Sequence, residues 1–335
     1  MGRSFTVVAI IAAHNEADVI EHVVRDLIAQ GVDVYYIDDD STDGTREIVE
    51  RYAGHGVIGI ERFDGTPGCF EWERILRRKE ALEHSLEADW FIHHDADEFR
   101  ESPWQGVPLK EAIAQVDAVG CNAIDFQLVD FRPDHDRFVP GADVRDAFQF
   151  YTPTAHYNRP QIRTWKKSAM RVDLTSSGGH DARFQNRVVF PIRFVLRHYP
   201  IRGQTHGVRK IFEQRRPRYS DTERQNEWHV QYDEIRPDAS FIHDRSTLIP
   251  YDPSTVRQRL VVDILGECEQ FVAELRASHA RELAAQDQRH TEAIAVTHAE
   301  IRHLQGTLQA FERSLSWRWT APARAAYRLL TRRSA

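Results

Sequence analysis

Three acidic residues crowd into four positions near the middle of the first half of the chain. Residues 92–99 read IHHDADEF, so that Asp95, Asp97 and Glu98 come soon after the apolar run WFI. Carboxylates this close repel one another unless a cation lies between them. Oxygen ligands suit Mg²⁺ or Mn²⁺, which share their coordination with water and substrate phosphates. Asp95 and Asp97 are therefore candidate metal ligands, although a solvated acidic loop would have the same composition.

Two further polar clusters follow apolar runs in the same way. HNEAD follows TVVAIIAA at 6–13, and DDDSTD follows VDVYYI at 32–37. Runs with the spacing of helices separate these segments from one another, from VIGIERF at 57–63 and from WFIHHDAD at 90–97. Such alternation predicts a parallel sheet with crossover helices, in which ligands bind at the carboxyl ends of the strands. In the first crossover we expect Asn15 to cap the helix.

The pattern changes near residue 119. CNAIDFQLVDFR at 121–132 and RVVFPIRFVLRHYP at 187–200 are long and partly alternating, and the stretch between them is rich in proline, glycine and aromatic residues. We expect an antiparallel extension of the sheet whose long loops receive an acceptor molecule. The predicted division is a domain at 1–250, with a nucleotide-binding half at 1–118 and an acceptor half at 119–250.

Composition excludes several classes of protein. The chain has 335 residues, is 41% hydrophobic and carries a formal charge of -7, which argues against nucleic-acid binding through bulk charge. Its three cysteines form no C-x-x-C pair, which favours a reducing cytoplasm over a disulfide-stabilised fold. The first apolar run is too short to span a membrane, so we interpret it as a strand.

Two C-terminal segments have their own patterns. Residues 254–315 place apolar side chains three and four positions apart, which predicts a long helix that pairs with a second copy in a homodimer or folds back on the domain. Residues 316–335 contain five arginines and no acidic residue. A basic amphipathic helix of this kind suits peripheral contact with a membrane surface, and a solvated basic tail is the alternative.

The order of these motifs resembles a known family. TVVAIIAAHNEADVI, VYYIDDDSTDGTREIV and ADWFIHHDADEF together resemble family 2 glycosyltransferases of the GT-A fold, and more narrowly the bacterial branch with a D-x-D-E-F metal motif, over roughly residues 5–215. The resemblance implies Mg²⁺ or Mn²⁺ bound to Asp95 and Asp97. It also implies a nucleotide-sugar pocket formed by His14, Glu16, Asp39, Asp40, Arg78 and Asp95. A solvated helix face explains Arg78 equally well.

Later segments also resemble this branch. In LRHYPIRGQTHGVRKIFEQR at 196–215, His198 is a candidate third metal ligand, or else a structural histidine beside a tyrosine. In SSGGHDARF, Asp181 is the first candidate for the catalytic base and His180 the second, and both could instead be turn residues. Arg209 and Lys210 could meet phosphate or lie on a surface helix.

These observations predict a metal-dependent glycosyltransferase that moves a sugar from a nucleotide-sugar donor to a glycan, lipid-linked or other hydroxyl acceptor. The resemblance implies inversion at the anomeric carbon and a role in surface polysaccharide or glycan assembly, at a cytoplasmic or peripheral membrane location. A nucleotidyltransferase is the first alternative, but the loop AAHNEAD lacks the glycines and bases of its phosphate loop. A non-catalytic scaffold that acts through the coiled coil is the second.

Overall fold

The computed structural model describes residues 4–152, 160–219 and 233–331. Its contacts divide the chain into two compact units, Met1–Ile264 and Leu265–Ala335. The first unit is a mixed sheet covered by helices, and the second is helical. The boundary between the units falls inside a long helix, whereas the division at residues 250, 254 and 315 stays a prediction.

The first half of the sheet has the predicted parallel arrangement. Its strands lie in the order β3-β2-β1-β4 and pair in parallel. Their bounds are β1 Val7–Ala13, β2 Asp33–Asp38, β3 Val57–Arg62 and β4 Trp90–Asp95. The crossover helices are α1 Ile20–Ala29, α2 Thr45–Glu50 and α3 Trp72–Ser85. The sequence pattern therefore predicted this half correctly, because continuous apolar runs suit strands that are buried on both faces.

The start of α1 differs from the expectation. The helix begins at Ile20, and Asn15 lies five residues earlier with a positive φ of 53°. The Asn15 side chain accepts a hydrogen bond from the backbone N–H of Thr42 at 2.7 Å. The prediction that Asn15 caps α1 is therefore wrong, because its amide ties the loop after β1 to the loop after β2.

The second half of the sheet adds six strands. They are β5 Glu98–Glu101, β6 Ala123–Phe131, β7 Phe150–Thr152, β8 Thr164–Lys166, β9 Val189–His198 and β10 Ile249–Pro250. β8 lies antiparallel between β4 and β6, and β9 is antiparallel to β5. However, β9 is parallel to β6, so the expectation of a purely antiparallel extension is wrong. The long connection between these strands gives the chain room to cross over.

Helices cover both faces of the sheet. Alternate residues of β1 point to opposite sides, so that Ile11 joins the core cluster that contains α1 and α4 Leu109–Ala118, while Ile10 joins the cluster under α3. Two short helices follow, α5 Val144–Ala147 and α6 Gln204–Val208. After α6 the chain continues as a π-helix, Arg209–Arg215, and a 3₁₀ turn, Arg216–Arg218.

The C-terminal region is helical as predicted. α7 runs from Pro253 to Arg313, and its 61 residues span roughly 90 Å at about 1.5 Å per residue. It is followed by α8 Leu315–Trp319 and α9 Ala321–Thr331. Val256 and Leu260 are buried in the first unit, whereas later apolar residues of α7 are exposed. Within the described ranges, the helices include none that is long and apolar enough to cross a membrane.

Candidate active site

A cavity of about 460 Å³ opens at the carboxyl ends of β1, β2 and β4. Polar side chains that leave these strand ends converge there, as the parallel topology requires. Nine residues singled out from the sequence line it: His14, Glu16, Asp39, Asp95, Asp97, Glu98, His180, His198 and Lys210. The cavity therefore brings together residues that lie far apart in the chain.

Asp95, the last residue of β4, is held by an arginine from the neighbouring antiparallel strand region. Arg163 Nη1 donates to Asp95 Oδ2 and to Glu98 Oε1, both at 2.8 Å. Burial disfavours ionisation of Asp95, but the positive charge of Arg163 outweighs it and holds the pKa of this carboxyl well below its ordinary value. Glu98 has a second partner in Arg100, at 2.9 Å. The acid cluster thus carries its own counter-charges.

Asp97 faces a lysine on the π-helix. Lys210 Nζ donates to Asp97 Oδ2 at 2.8 Å and lies 3.0 Å from Glu16 Oε1. All three side chains are buried. Burial lowers the pKa of Lys210, but Asp97 and Glu16 more than offset this, and its net pKa is raised. Arg202 gives Glu16 a second cation and also donates to Asp18 at 2.7 Å.

Asp39 lies on the opposite side of the cavity. Arg218 Nη2 donates to Asp39 Oδ2 at 2.9 Å, and His14 Nδ1 donates to the backbone carbonyl of Asp39 at 2.6 Å. Burial raises the pKa of Asp39 above its ordinary value, and Arg218 opposes this shift. Phe70 and Trp72 stack beside this wall with ring centroids 5.8 Å apart. This part of the cavity wall offers the buried carboxylate of Asp39 as a hydrogen-bond acceptor, next to the rings of Phe70 and Trp72.

His198 closes the far wall at the end of β9. Its Nδ1 donates to Asp130 Oδ1 at 3.1 Å, and its Nε2 lies 3.8 Å from Asp97 Oδ1. Burial lowers the pKa of His198, but the hydrogen bond to Asp130 and the charge of Asp97 raise it more. Asp130 is itself buried and lines the cavity. The hydrogen bond fixes which ring nitrogen of His198 faces Asp97.

His180 reaches the cavity from a glycine-rich turn. Its Nδ1 accepts from Arg163 Nη2 at 2.7 Å, and partial desolvation of the ring together with the charge of Arg163 lowers its pKa, although the residue is exposed to solvent. Gly179, with φ of 92°, lets the turn pass close to His93, since a Cβ there would lie 2.7 Å from His93 Nε2. His180 is therefore a neutral imidazole at pH 7.

Three other predicted residues are absent from the part of the cavity wall that the structure describes. Asp40 pairs with Arg62 on the surface. Arg78 makes a two-pronged contact with Glu61, at 2.7 Å to each oxygen. Both oxygens of Asp181 are engaged, by Arg183 at 2.9 Å and by Arg187. The structure thus keeps Asp181 away from Asp95 and Asp97, whereas its neighbour His180 lines the cavity with them.

Several cavity residues were not found by reasoning from the sequence. They are Asp130, Arg132, Arg163, Arg215 and Arg218. The segment RKIFEQRRPR at 209–218 has a high density of cations, which is the signal that could have drawn attention to Arg215 and Arg218. Arg163 lies among other basic residues, Arg159, Lys166 and Lys167, so the sequence does not mark it out, and the pairing of β8 with β4 brings it to the acids.

The donor set fits a hard divalent cation. Asp95, Asp97, Glu16 and Asp130 supply carboxylate oxygens, and His198 presents Nε2 beside Asp97. Among the described residues, the acids and histidine whose ligand atoms lie within 4.8 Å of one another are Glu16, Asp18 and His206. Asp18 and His206 do not line the cavity, whereas Asp95 and Asp97 both do, so the acids at the end of β4 are better placed to share an ion with a substrate phosphate.

Comparison with known proteins agrees with this geometry. Residues 8–169 match the model of the glycosyl transferase family 2. No curated protein matches the chain. Similar solved structures include TarS 1–349 from S. aureus in complex with UDP, at 15% identity and a TM-score of 0.36, with coverage of 59% of this chain and 61% of that chain.

Two further structures match a smaller share of this chain. The mannosyltransferase PcManGT from Pyrobaculum calidifontis, in complex with GDP-Man and Mn²⁺, has 21% identity and a TM-score of 0.27, with coverage of 36% of this chain and 35% of that chain. Glucosyl-3-phosphoglycerate synthase from Mycobacterium tuberculosis, in complex with Mn²⁺, UDP and glucosyl-3-phosphoglycerate, has 20% identity, a TM-score of 0.26 and coverage of 37% and 44%. The chain spans less than two thirds of each of these proteins.

The family match covers the strand ends that form the cavity. It includes β1 to β8 and the residues Asp39, Asp95, Asp97 and Arg163, whereas His180, His198 and Lys210 lie beyond it. The predicted fold, a GT-A-type mixed sheet followed by a long helix, is confirmed, while membership of the D-x-D-E-F branch stays a prediction. Residues 8–169 of this chain, just under half of its length, match the glycosyl transferase family 2 model, and the strand ends that form the cavity lie within them.

Proposed function

We propose that the protein transfers a sugar from a nucleotide-sugar donor to a hydroxyl group of an acceptor. One observation carries the proposal: Asp95 ends a buried parallel strand and Asp97 follows two residues later, in a cavity that Lys210, Arg215 and Arg218 also line. A divalent ion and a diphosphate together complement such a surface, since the ion bridges the acids to phosphate oxygens. The family match over the same strands supports the proposal.

The chain would hold Mg²⁺ or Mn²⁺ through Asp95 and Asp97, with His198 as the third protein ligand. When bound, the ion neutralises charge that develops on the departing diphosphate. Lys210, Arg215 and Arg218 line the same cavity and can donate to phosphate oxygens. On the other side, Asp39 accepts a hydrogen bond from the base, and His14 and Glu16 complete that pocket.

For the base that removes the proton of the acceptor hydroxyl, the geometry favours Asp130 over Asp181. Asp130 lines the cavity, where it contacts His198 and Arg132, whereas Asp181, held by Arg183 and Arg187, does not line it. His180 is the second candidate at the cavity wall. Asp130→Asn should lower kcat about 10²–10⁴-fold at saturating Mn²⁺ and donor. If Asp181→Asn causes the larger loss, the assignment moves to Asp181.

The acceptor and pathway are finer proposals. The branch implied by HHDADEF favours inversion at the anomeric carbon and assembly of surface polysaccharide or another glycan on a glycan or lipid-linked acceptor. Such transfer needs a single base and forms no covalent intermediate with the enzyme. Analysis of the anomeric configuration of the product by NMR tests inversion directly.

We propose a homodimer through α7. Its exposed residues Ile301, Leu304, Leu308 and Phe311, at 46–61% exposure, are spaced three and four positions apart. The same stripe on a second copy would cover them, as in a coiled coil. Sedimentation should give a dimer for the native chain and a monomer for Leu304→Glu, with Arg302→Glu as a control off the stripe. A monomeric native chain contradicts the proposal.

We also propose that α8 and α9 contact an anionic membrane surface. Trp319 and Tyr327 are 83% and 68% exposed, and Arg324 stacks on Trp317 at 3.5 Å from the ring centroid. Exposed aromatic and basic side chains suit a lipid interface. The chain should sediment with phosphatidylserine vesicles more than with phosphatidylcholine vesicles, and Trp319→Ala should weaken this. Equal sedimentation with both lipids supports the solvated-tail alternative.

The decisive test of transfer uses the metal-binding acid. Asp97→Ala should abolish sugar transfer while circular dichroism shows a folded chain, because the ion loses a ligand at the diphosphate. The assay follows release of UDP or GDP from nucleotide sugars with Mn²⁺, and Asp173→Ala, a partly exposed residue that does not line the cavity, serves as control. Retained transfer by Asp97→Ala refutes the proposal. Release of pyrophosphate from a nucleoside triphosphate indicates a nucleotidyltransferase, and absence of sugar-nucleotide binding favours the scaffold.

A further inference from the structure

Lys210 occupies an unusual position for a lysine. Its side chain is 3% exposed, and its Nζ lies 2.8 Å from Asp97 and 3.0 Å from Glu16. An ammonium group is costly to bury unless carboxylates compensate it. The lysine therefore supplies the positive charge beside the very carboxylate that the proposed function assigns to a divalent ion.

The two acids do not depend on Lys210 equally. Glu16 has a second cation in the buried guanidinium of Arg202. Asp97 receives its hydrogen bond from Lys210, and His198 Nε2 lies 3.8 Å from its other oxygen, while Arg163 and Arg202 act on it through their charges. Withdrawal of Lys210 would thus leave Glu16 compensated and would free Asp97. Asp97 is the carboxylate that can change partners.

A divalent ion and the ammonium compete for this carboxylate. An ion on Asp97 would lie close to Nζ, and two cations at that distance repel each other strongly in a buried site. Lys210 belongs to a seven-residue π-helix, Arg209–Arg215, a local geometry that is frequent at functional sites. Arg215 and Arg218 extend the same cationic wall into the cavity. A displaced ammonium would therefore stay beside the phosphates.

We propose that Lys210 is the exchangeable counter-ion of Asp97: it holds this carboxylate in the metal-free protein, yields it to the divalent ion, and then binds the diphosphate of the donor. The inference rests on the proposed function. It predicts opposite effects of one substitution, tighter binding of the metal alone and weaker binding of the nucleotide. A lysine with a purely structural role would not produce this pair of effects.

Calorimetry with Mn²⁺ alone tests the first effect. Lys210→Met should bind Mn²⁺ about tenfold more tightly than the native chain, because a charge-assisted hydrogen bond to Asp97 no longer competes. Arg209→Met is the matched control, since it removes a neighbouring exposed positive charge, and its affinity should stay within about twofold of native. Lys210→Gln replaces Lys210→Met if circular dichroism shows the latter to be unfolded.

Calorimetry with UDP and GDP at saturating Mn²⁺ tests the second effect. The affinity of Lys210→Met for whichever nucleotide the native chain binds should fall about tenfold, since a phosphate contact is lost. If Lys210→Met, or the Lys210→Gln variant that replaces it, binds Mn²⁺ no more tightly than the native chain, the exchange is overturned. If its affinity for the nucleotide is unchanged, the phosphate contact is overturned. A native chain that binds no Mn²⁺ overturns the metal-dependent function itself. The two failures are therefore distinguishable.

Discussion

Arg163 is the side chain on which the stability of the acid cluster most depends. It is 4% exposed, and one nitrogen donates to both Asp95 and Glu98 at 2.8 Å, while another donates to His180 at 2.7 Å. Arg163→Met would keep the apolar stem and remove all three contacts. Asp95 and Glu98 would then face each other in a buried site without their shared cation.

The contacts that remain in Arg163→Met determine how much folding free energy the substitution costs. Glu98 keeps Arg100 at 2.9 Å, so the substitution leaves Asp95 as the mainly uncompensated charge. Removing one partner of a buried ion pair costs about 3–5 kcal/mol. For a unit of this size, such a loss lowers Tm by roughly 6–20 °C. Saturating Mn²⁺ should stabilise the variant more than the native chain, because the ion replaces the missing cation at Asp95.

Urea unfolding followed by near-ultraviolet circular dichroism measures this loss. The matched control is Arg77→Met, which breaks an exposed pair with Glu73 one helical turn away on α3 and should cost less than about 1 kcal/mol. A loss for Arg163→Met no larger than that of the control would refute the reasoning. The cluster would then be held by its solvation rather than by the buried guanidinium.

Three further predictions concern residues around the same cavity. Burial lowers the pKa of Lys79, whose Nζ lies 2.9 Å from His93 Nδ1, to about 7. The unfolded chain therefore binds more protons than the folded chain between about pH 7 and 10, and the free energy of unfolding should rise with pH there. In urea titrations the slope relative to Lys79→Met should approach about 1.4 kcal/mol per pH unit. A slope equal to that of the variant would contradict this. His198→Ala should weaken Mn²⁺ binding about tenfold or more by calorimetry, since it removes the third proposed ligand; unchanged affinity would exclude that role. Gly179→Ala should destabilise the fold by roughly 1–3 kcal/mol in thermal unfolding, because its φ of 92° and the contact with His93 both resist a Cβ, and a neutral effect would show that the turn can move.

The sequence was most informative where function follows from local pattern. The apolar runs predicted four parallel strands, and their topology places the carboxyl ends at one edge whatever the details of packing. His14, Asp39, Asp95 and Asp97 follow those strands directly, so their presence at one cavity could be expected from order and spacing alone.

Predictions that depended on side-chain partners fared differently. Asp40, Arg78 and Asp181 have residue types as suitable as their neighbours, but each forms an ion pair away from the described part of the cavity wall. Asn15 has a cap-forming side chain that a distant loop takes instead. The partners of Asp40, Arg78 and Asn15 lie 22, 17 and 27 residues away, which no local pattern encodes, whereas those of Asp181 lie two and six residues later.

By itself the sequence determined the strands of the parallel half, the acidic edge and the long C-terminal helix, because hydrophobic period and residue type act over a few neighbouring positions. Only the tertiary structure decided which cations meet those acids. Arg163 lies 68 residues from Asp95 along the chain, and Lys210 lies 113 residues from Asp97. Arg218 lies 179 residues from Asp39. Ion pairing depends on distance in space and on burial, and chain folding sets both.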